Sequence, residues 1–189
     1  MKKVELLFVF IIGMGFVFRL MHWPYASEIL TFGILFLSML YFWFGFALLN
    51  SMGLRAALKK ESYKSISKLR LFGAVGTGFV LSFVVINSLF KLQFWPYGQV
   101  NLGIALSFLG FLLSIVILLF FIKRKQFLKE NYLRFIIIGG FGLLIYSLST
   151  DQLVELYYGS DPEYAEEYKT YIKDDSRNAK RPTKPFKSQ

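Results

Sequence analysis

The chain has 189 residues, 55% of them hydrophobic and 19% aromatic, with a mean hydropathy of +0.49, a composition typical of membrane proteins and unlike that of soluble domains. The absence of cysteine excludes disulfides, thiolate catalysis, iron–sulfur clusters and Cys-bound zinc, and a single histidine excludes paired-His haem ligation. The net charge of +10 sits mainly in segments flanking apolar runs, which reads as a signal of orientation across a bilayer and argues against nucleic acid as the partner.

Taken in chain order, the apolar runs predict five transmembrane helices. A spanning helix needs roughly 20 apolar residues. The first lies at about 4–22, interrupted only by Glu5 and Arg19. Met-Lys-Lys before an apolar run also opens a signal peptide, but Arg19-Leu20-Met21-His22-Trp23-Pro24 is a poor cleavage site, so a retained helix is expected. The second runs from about 28 to 49, the third from 71 to 92, the fourth from 100 to 122 and the fifth from 131 to 150. Between the second and third lies the basic loop 53–70, with Arg55, Lys59, Lys60, Lys64, Lys68 and Arg70 against Glu61. After the fourth come Lys123, Arg124, Lys125, Lys129 and Arg134 against Glu130. The positive-inside rule places the N-terminus and both basic loops in the cytoplasm of a bacterial inner membrane, and the tail 151–189 in the periplasm. Glu5 and Glu28, at the ends of spans, read as interfacial. Within the tail, Asp161-Pro162 predicts a helix start and a short helix near 162–172, with Tyr164, Tyr168 and Tyr171 on one face. The stretch 175–189 is expected to be disordered.

One phrase occurs twice. Phe18-Arg19-Leu20 and Trp23-Pro24-Tyr25 match Phe90-Lys91-Leu92 and Trp95-Pro96-Tyr97, with His22 aligned to Phe94. Residues 1–52 and 71–122 are therefore two copies of one hairpin, and an even number of spans per copy makes them parallel repeats. The fold expected is all-α and polytopic: two tandem hairpins, a fifth helix and a polar tail. The phrase suits an interfacial turn. Arg19 and Lys91 can snorkel to headgroups, Trp and Tyr settle at the interface, Pro ends the incoming helix, and Ser27 or Gln99 can help start the next.

Phe18-Arg19-Leu20-Met21-His22-Trp23-Pro24, with Thr31-Phe32-Gly33 in the following span, resembles the transmembrane hairpin of the GldL-like N-terminal domain family. The resemblance covers 15–33 and, more weakly, 88–109. It implies a relation to the inner-membrane GldL, which partners GldM in the gliding and type IX secretion motor of Bacteroidota. In that family the second helix holds a membrane-embedded glutamate. The matching positions here are Leu37 and Leu109, which cannot ionise, so proton-driven motor function is not implied.

Other polar residues weigh lightly. Arg19 and Glu28 can pair across the first turn, and His22 is a possible pH sensor, but Phe94 in the second copy shows that the turn does not require a histidine. Ala74, Gly78 and Ser82 form a small-residue stripe on the third helix. Gly103 with Ser107, and Gly110 with Ser114, do so on the fourth, and Asn87 is expected to bond a neighbouring helix at roughly 0.6–2 kcal/mol. Gly139, Gly140 and Gly142 would loosen the fifth helix or admit another close to it. No phosphate loop, HExxH or GxSxG sequence occurs. These residues point to a non-enzymatic structural or assembly component of the cell envelope without cofactors, with anionic headgroups at the basic loops and a membrane-protein partner or a second copy as its contacts. A transporter, channel or motor-associated subunit is the alternative, and a membrane enzyme the third reading.

Overall fold

The computed structural model describes residues 1–57, 59–64, 66–121, 125–173 and 182. All regular structure among them is helical: α1 (Lys2–Leu20), α2 (Ala26–Leu49), α3 (Leu54–Ala57), a 3₁₀ turn (Lys60–Tyr63), α4 (Lys68–Leu92), α5 (Gly98–Phe121), α6 (Lys125–Ser147), α7 (Thr150–Tyr158) and α8 (Pro162–Lys173).

Among the described residues, three helical segments are long and apolar enough to cross a membrane: Ala26–Leu49, Lys68–Leu92 and Gly98–Leu119. A fourth joins them only if Asn131–Ser147 and Thr150–Tyr158, bent by 93°, count as one span. Five were expected. The first falls short because Lys2, Lys3, Glu5 and Arg19 crowd its 19 residues with charge. For the last, the apolar stretch Asn131–Ser147 taken alone, with Asn131 and Arg134 near its start, is shorter than the roughly 20 apolar residues of a span.

Small residues set the packing. α2 and α4 meet at backbone distance, where a Cβ on Gly45 would lie 2.5 Å from the Cα of Gly78. The Ala74–Gly78–Ser82 stripe falls on this seam: Ala74 is fully buried, and the Ser82 hydroxyl lies 2.9 Å from that of Ser38. Such close approach is the main source of van der Waals gain between helices that have no water to expel. Gly15 of α1 admits Leu30 of α2, and Gly33 of α2 admits Ile12 of α1. Gly142 of α6 faces Val84 and Leu106, Gly139 faces Leu109, and Gly103 of α5 faces the Tyr146 ring. By contrast Ser107 and Ser114 are exposed and bond back to the carbonyls of Gly103 and Gly110 on their own helix. The lower half of the expected α5 stripe is therefore not used within the chain.

The segment after Ser147 departs most from expectation. α7 is an extra helix where a tail was expected. Its start is fixed by reciprocal bonds: Gln152 N–H donates to Ser149 Oγ at 3.1 Å, and Ser149 N–H donates to Gln152 Oε1 at 2.8 Å. α8 begins at Pro162 with Asp161 accepting from Tyr164 N–H. Val154, Tyr164, Ala165 and Tyr168 form a second small core against Phe94 and Tyr158. Lys169, bonded to Glu166 (2.7 Å) and Glu155 (2.9 Å), and Lys173, bonded to Asp151 (2.9 Å), tie α8 to its own face and to α7. The hydrogen bonds to Glu166 and then Glu155 raise the Lys169 pKa. The stretch expected to be disordered lies outside the described residues, apart from Pro182.

Candidate functional site

Two polar constellations stand out, one towards each end of the bundle. The first is a buried ion pair. Glu5, in the first turn of α1, is 9% exposed and receives both arms of Arg134, with Nε to Oε1 and Nη2 to Oε2 each 2.7 Å. Tyr41 of α2 donates its hydroxyl to the same carboxylate. Arg134 Nη1 donates to Asn131 Oδ1 at 2.8 Å, and Asn131 Nδ2 donates to the Leu49 carbonyl at 3.1 Å. One charge pair thereby joins α1, α2 and α6, with Asn131 1% and Tyr41 2% exposed. Glu5, in the first turn of α1, is thus paired inside the protein, and Arg134 lies in α6 and is not a loop cation. Bidentate guanidinium–carboxylate contact is among the stronger hydrogen-bonding geometries. No sequence signal links these residues, which lie 129 positions apart.

At the other end lie the two turns, which share their helix-stop bonds. Trp23 N–H reaches the Phe18 carbonyl (2.9 Å) and His22 N–H that of Arg19 (3.2 Å). In the second copy Trp95 reaches Phe90 (2.8 Å) and Phe94 reaches Lys91 (3.1 Å). The rings of Phe18 and Trp23, and of Phe90 and Trp95, are each 4.8 Å apart. His22 and Phe94 are both left-handed, with φ of 56°. This is the Schellman helix stop with its hydrophobic contact, with His or Phe in place of the usual glycine. Tyr25 and Tyr97 are left-handed as well, at φ 62° and 60°. Trp23, Tyr25, Trp95 and Tyr97 are exposed, as are Pro24 and Pro96. The turns are neighbours: Gln93 accepts from the Ser27 hydroxyl (3.0 Å) and donates to Thr31 Oγ1 (2.8 Å). Ser27 thus links the copies and does not cap α2.

A left-handed non-glycine residue costs roughly 1–2 kcal/mol. His22→Gly is therefore expected to stabilise the protein by up to about 1 kcal/mol once the added freedom of the unfolded chain is subtracted. Phe94→Gly is expected to destabilise it, because the Phe94 ring packs edge-on against Tyr157 (5.8 Å) and Tyr168 (5.6 Å). Thermal unfolding of the two variants in detergent should move in opposite directions.

Both repeated cations take partners within the protein. Lys91 is 5% exposed and donates from Nζ to the carbonyls of Tyr146 (2.9 Å) and Leu148 (2.6 Å), closing the C-terminal end of α6. Arg19 lies over the Tyr157 ring, 4.1 Å from its centroid, and donates to the Tyr158 hydroxyl at 3.3 Å. Among the described residues no ion pair joins Arg19 to Glu28. Asn87, 2% exposed, donates its amide to the Phe83 carbonyl on its own helix and not to a neighbour. His22 lines a cleft with Arg19, Trp23, Ser27, Glu28 and Tyr157. Leu37 and Leu109 are buried among apolar residues. No group of His, Asp or Glu among the described residues could hold a metal ion.

Helices and site together define an all-α protein whose apolar helices mark it as membrane-embedded. Comparison with family models, with curated proteins and with solved structures gives no match.

Proposed function

We propose that the chain is a non-enzymatic, multi-pass protein of a bacterial inner membrane that serves as a structural or assembly component of the cell envelope and is related to the GldL-like family. Five spans are proposed: α1, α2, α4, α5 and α6, with the N-terminus and basic loops cytoplasmic and α7–α8 periplasmic. The observation that carries the reading is the way the bundle uses its buried charges. Glu5, Arg134 and Lys91 all bond protein groups that tie helices together. The duplicated turn supports the family relation, and the basic loop supports contact with anionic headgroups at about 1 kcal/mol per nearby cation.

Co-purification of envelope proteins with the tagged full chain, lost when 161–175 is deleted, is the expected result. Retention of every partner by the deletion variant would remove the docking role of α8. Protease added to spheroplasts should cut after α8 and spare the loop 55–70; the reverse pattern would invert the topology. A second reading, transport or motor-associated work, is favoured by Glu5, since a buried carboxylate inside a membrane bundle marks ion pathways by default. Leu37 and Leu109 in the family's glutamate positions weigh against it. Ion flux in reconstituted vesicles that vanishes with Glu5→Gln, while the variant keeps its native circular dichroism, would establish that reading in place of the first.

A further inference from the structure

A groove of about 290 Å³ runs along the outer side of the α2–α4 seam. At its base are Ser38 of α2 and Ser82 of α4, both buried, whose hydroxyls lie 2.9 Å apart and satisfy each other. The rest of its lining is apolar. Met39 and Phe42 of α2 and Phe79 of α4 stand half-exposed beside the two serines and form its rims. The Ser38–Ser82 bond and the Gly45–Gly78 contact set the antiparallel register. Leu35 therefore lies opposite Ile86 at the end towards the turns, and Phe42 opposite Phe79 at the far end. There the Phe42 and Phe79 rings meet across the seam at 6.0 Å, and Phe79 stacks in turn on Phe83 at 6.2 Å.

Depth decides what can fill this groove. At about 1.5 Å per residue, Leu35 and Ile86 lie about 9–14 Å from the turn ends of α2 and α4, and Phe42 and Phe79 about 20–24 Å. Half of a bilayer's hydrocarbon core is about 15 Å. Both helices are apolar enough to cross a membrane, so the groove begins in the turn-side leaflet and ends just beyond the midplane. Hydrocarbon or another helix can reach that depth. A second helix is kept out by the rims. Helices approach closely in membranes over small residues, and here Met39, Phe42 and Phe79 project on either side of the serines and hold a cylinder about 10 Å wide away from the base. A single chain of methylenes passes between them. Left empty, the groove would forfeit the dispersion contacts of its whole lining. The second copy has no such walls, because Ser107 and Ser114 stand on α5 where Leu35 and Phe42 stand on α2.

We propose that this groove holds one acyl chain of a bilayer phospholipid whose headgroup stands on the turn side. The distal half of the chain lies between α2 and α4, and its methyl end meets the Phe42–Phe79 pair. The site is separate from the assembly role and requires only that α2 and α4 lie in a bilayer.

The purified full chain, reconstituted in vesicles of phosphatidylethanolamine and phosphatidylglycerol, is tested with trace palmitoyl phospholipid carrying a diazirine near the methyl end of one chain. After photolysis, peptide mass spectrometry is expected to find label concentrated on 35–42 and 79–86, several-fold above the exposed faces of α5 and α6, because a held chain stays where a passing one does not. A diazirine near the carboxyl end of the same chain should label residues closer to the turns and spare the groove. Leu35→Trp and Ile86→Trp each fill the turn-side end from one wall. Either variant should remove the excess label while leaving that on α5 and α6, and the circular dichroism, unchanged; one decides the matter if the other fails to fold. Even labelling of all exposed faces, excess label that survives both tryptophan variants, or groove labelling by the carboxyl-end probe would overturn the proposal. So would a dimer in detergent that Ile86→Trp dissociates, since a second copy would then fill the groove.

Discussion

Arg134→Ala is expected to lower the stability of the detergent-solubilised protein by about 3–5 kcal/mol, because it leaves the Glu5 carboxylate buried without its counter-charge. In the native protein that carboxylate is compensated on both oxygens by Arg134 and receives the Tyr41 hydroxyl as well. Alanine leaves only the tyrosine. Asn131 also loses the donor to its Oδ1, although its Nδ2 still reaches the Leu49 carbonyl. Glu5→Gln should cost a comparable amount, since it strands the guanidinium. The informative variant is the double one. Glu5→Met with Arg134→Met replaces the pair by apolar side chains, and it should regain most of what either single change loses, because desolvating two charges offsets much of their attraction. Unfolding followed by circular dichroism in increasing denaturing detergent would read all four proteins. A loss below about 1 kcal/mol for Arg134→Ala would mean that the pair is solvated and does not tie α1 to α6.

Gly78→Ala is expected to be among the most costly single-carbon changes in the bundle. A Cβ there would stand 2.8 Å from the Gly45 Cα and 2.8 Å from the Tyr41 carbonyl, both backbone atoms that no rotamer change can move aside. α2 and α4 must separate. Overpacking of this kind costs typically 1–3 kcal/mol, and the displaced segment of α2 includes Tyr41, so the Glu5 cluster should loosen with it. Gly76→Ala, two residues earlier on the same helix, is the control. Nothing lies within 4 Å of its Cβ position, and the change should leave stability the same or raise it by up to about 1 kcal/mol. The same unfolding measurement applies. Equal behaviour of the two variants would show that the α2–α4 seam is not at backbone contact.

These predictions differ in how far they could be seen beforehand. The small-residue stripe on α4 is written at helical spacing within nine residues, so the seam it forms was visible, although its partner Gly45 was not. The turns were visible for the same reason. Phe18 and Trp23, or Phe90 and Trp95, are five residues apart, and a helix stop is decided by bonds among those same residues. That His22 and Phe94 occupy a left-handed position was not visible, because neither is the glycine that ordinarily marks it.

The sequence by itself determined an all-helical chain with apolar, membrane-length helices, two like hairpins and a terminal helix beginning at Pro162, since periodicity, caps and hydropathy act over one or two turns of chain. Only the tertiary structure decided what the charges do. Arg19 and Lys91, equivalent in the repeat, take different partners because α6 ends against one and α7 packs against the other. Glu5 has its counter-charge in Arg134, 129 positions away. Where a buried charge finds its counterpart depends on which helices are neighbours, and no local spacing encodes that.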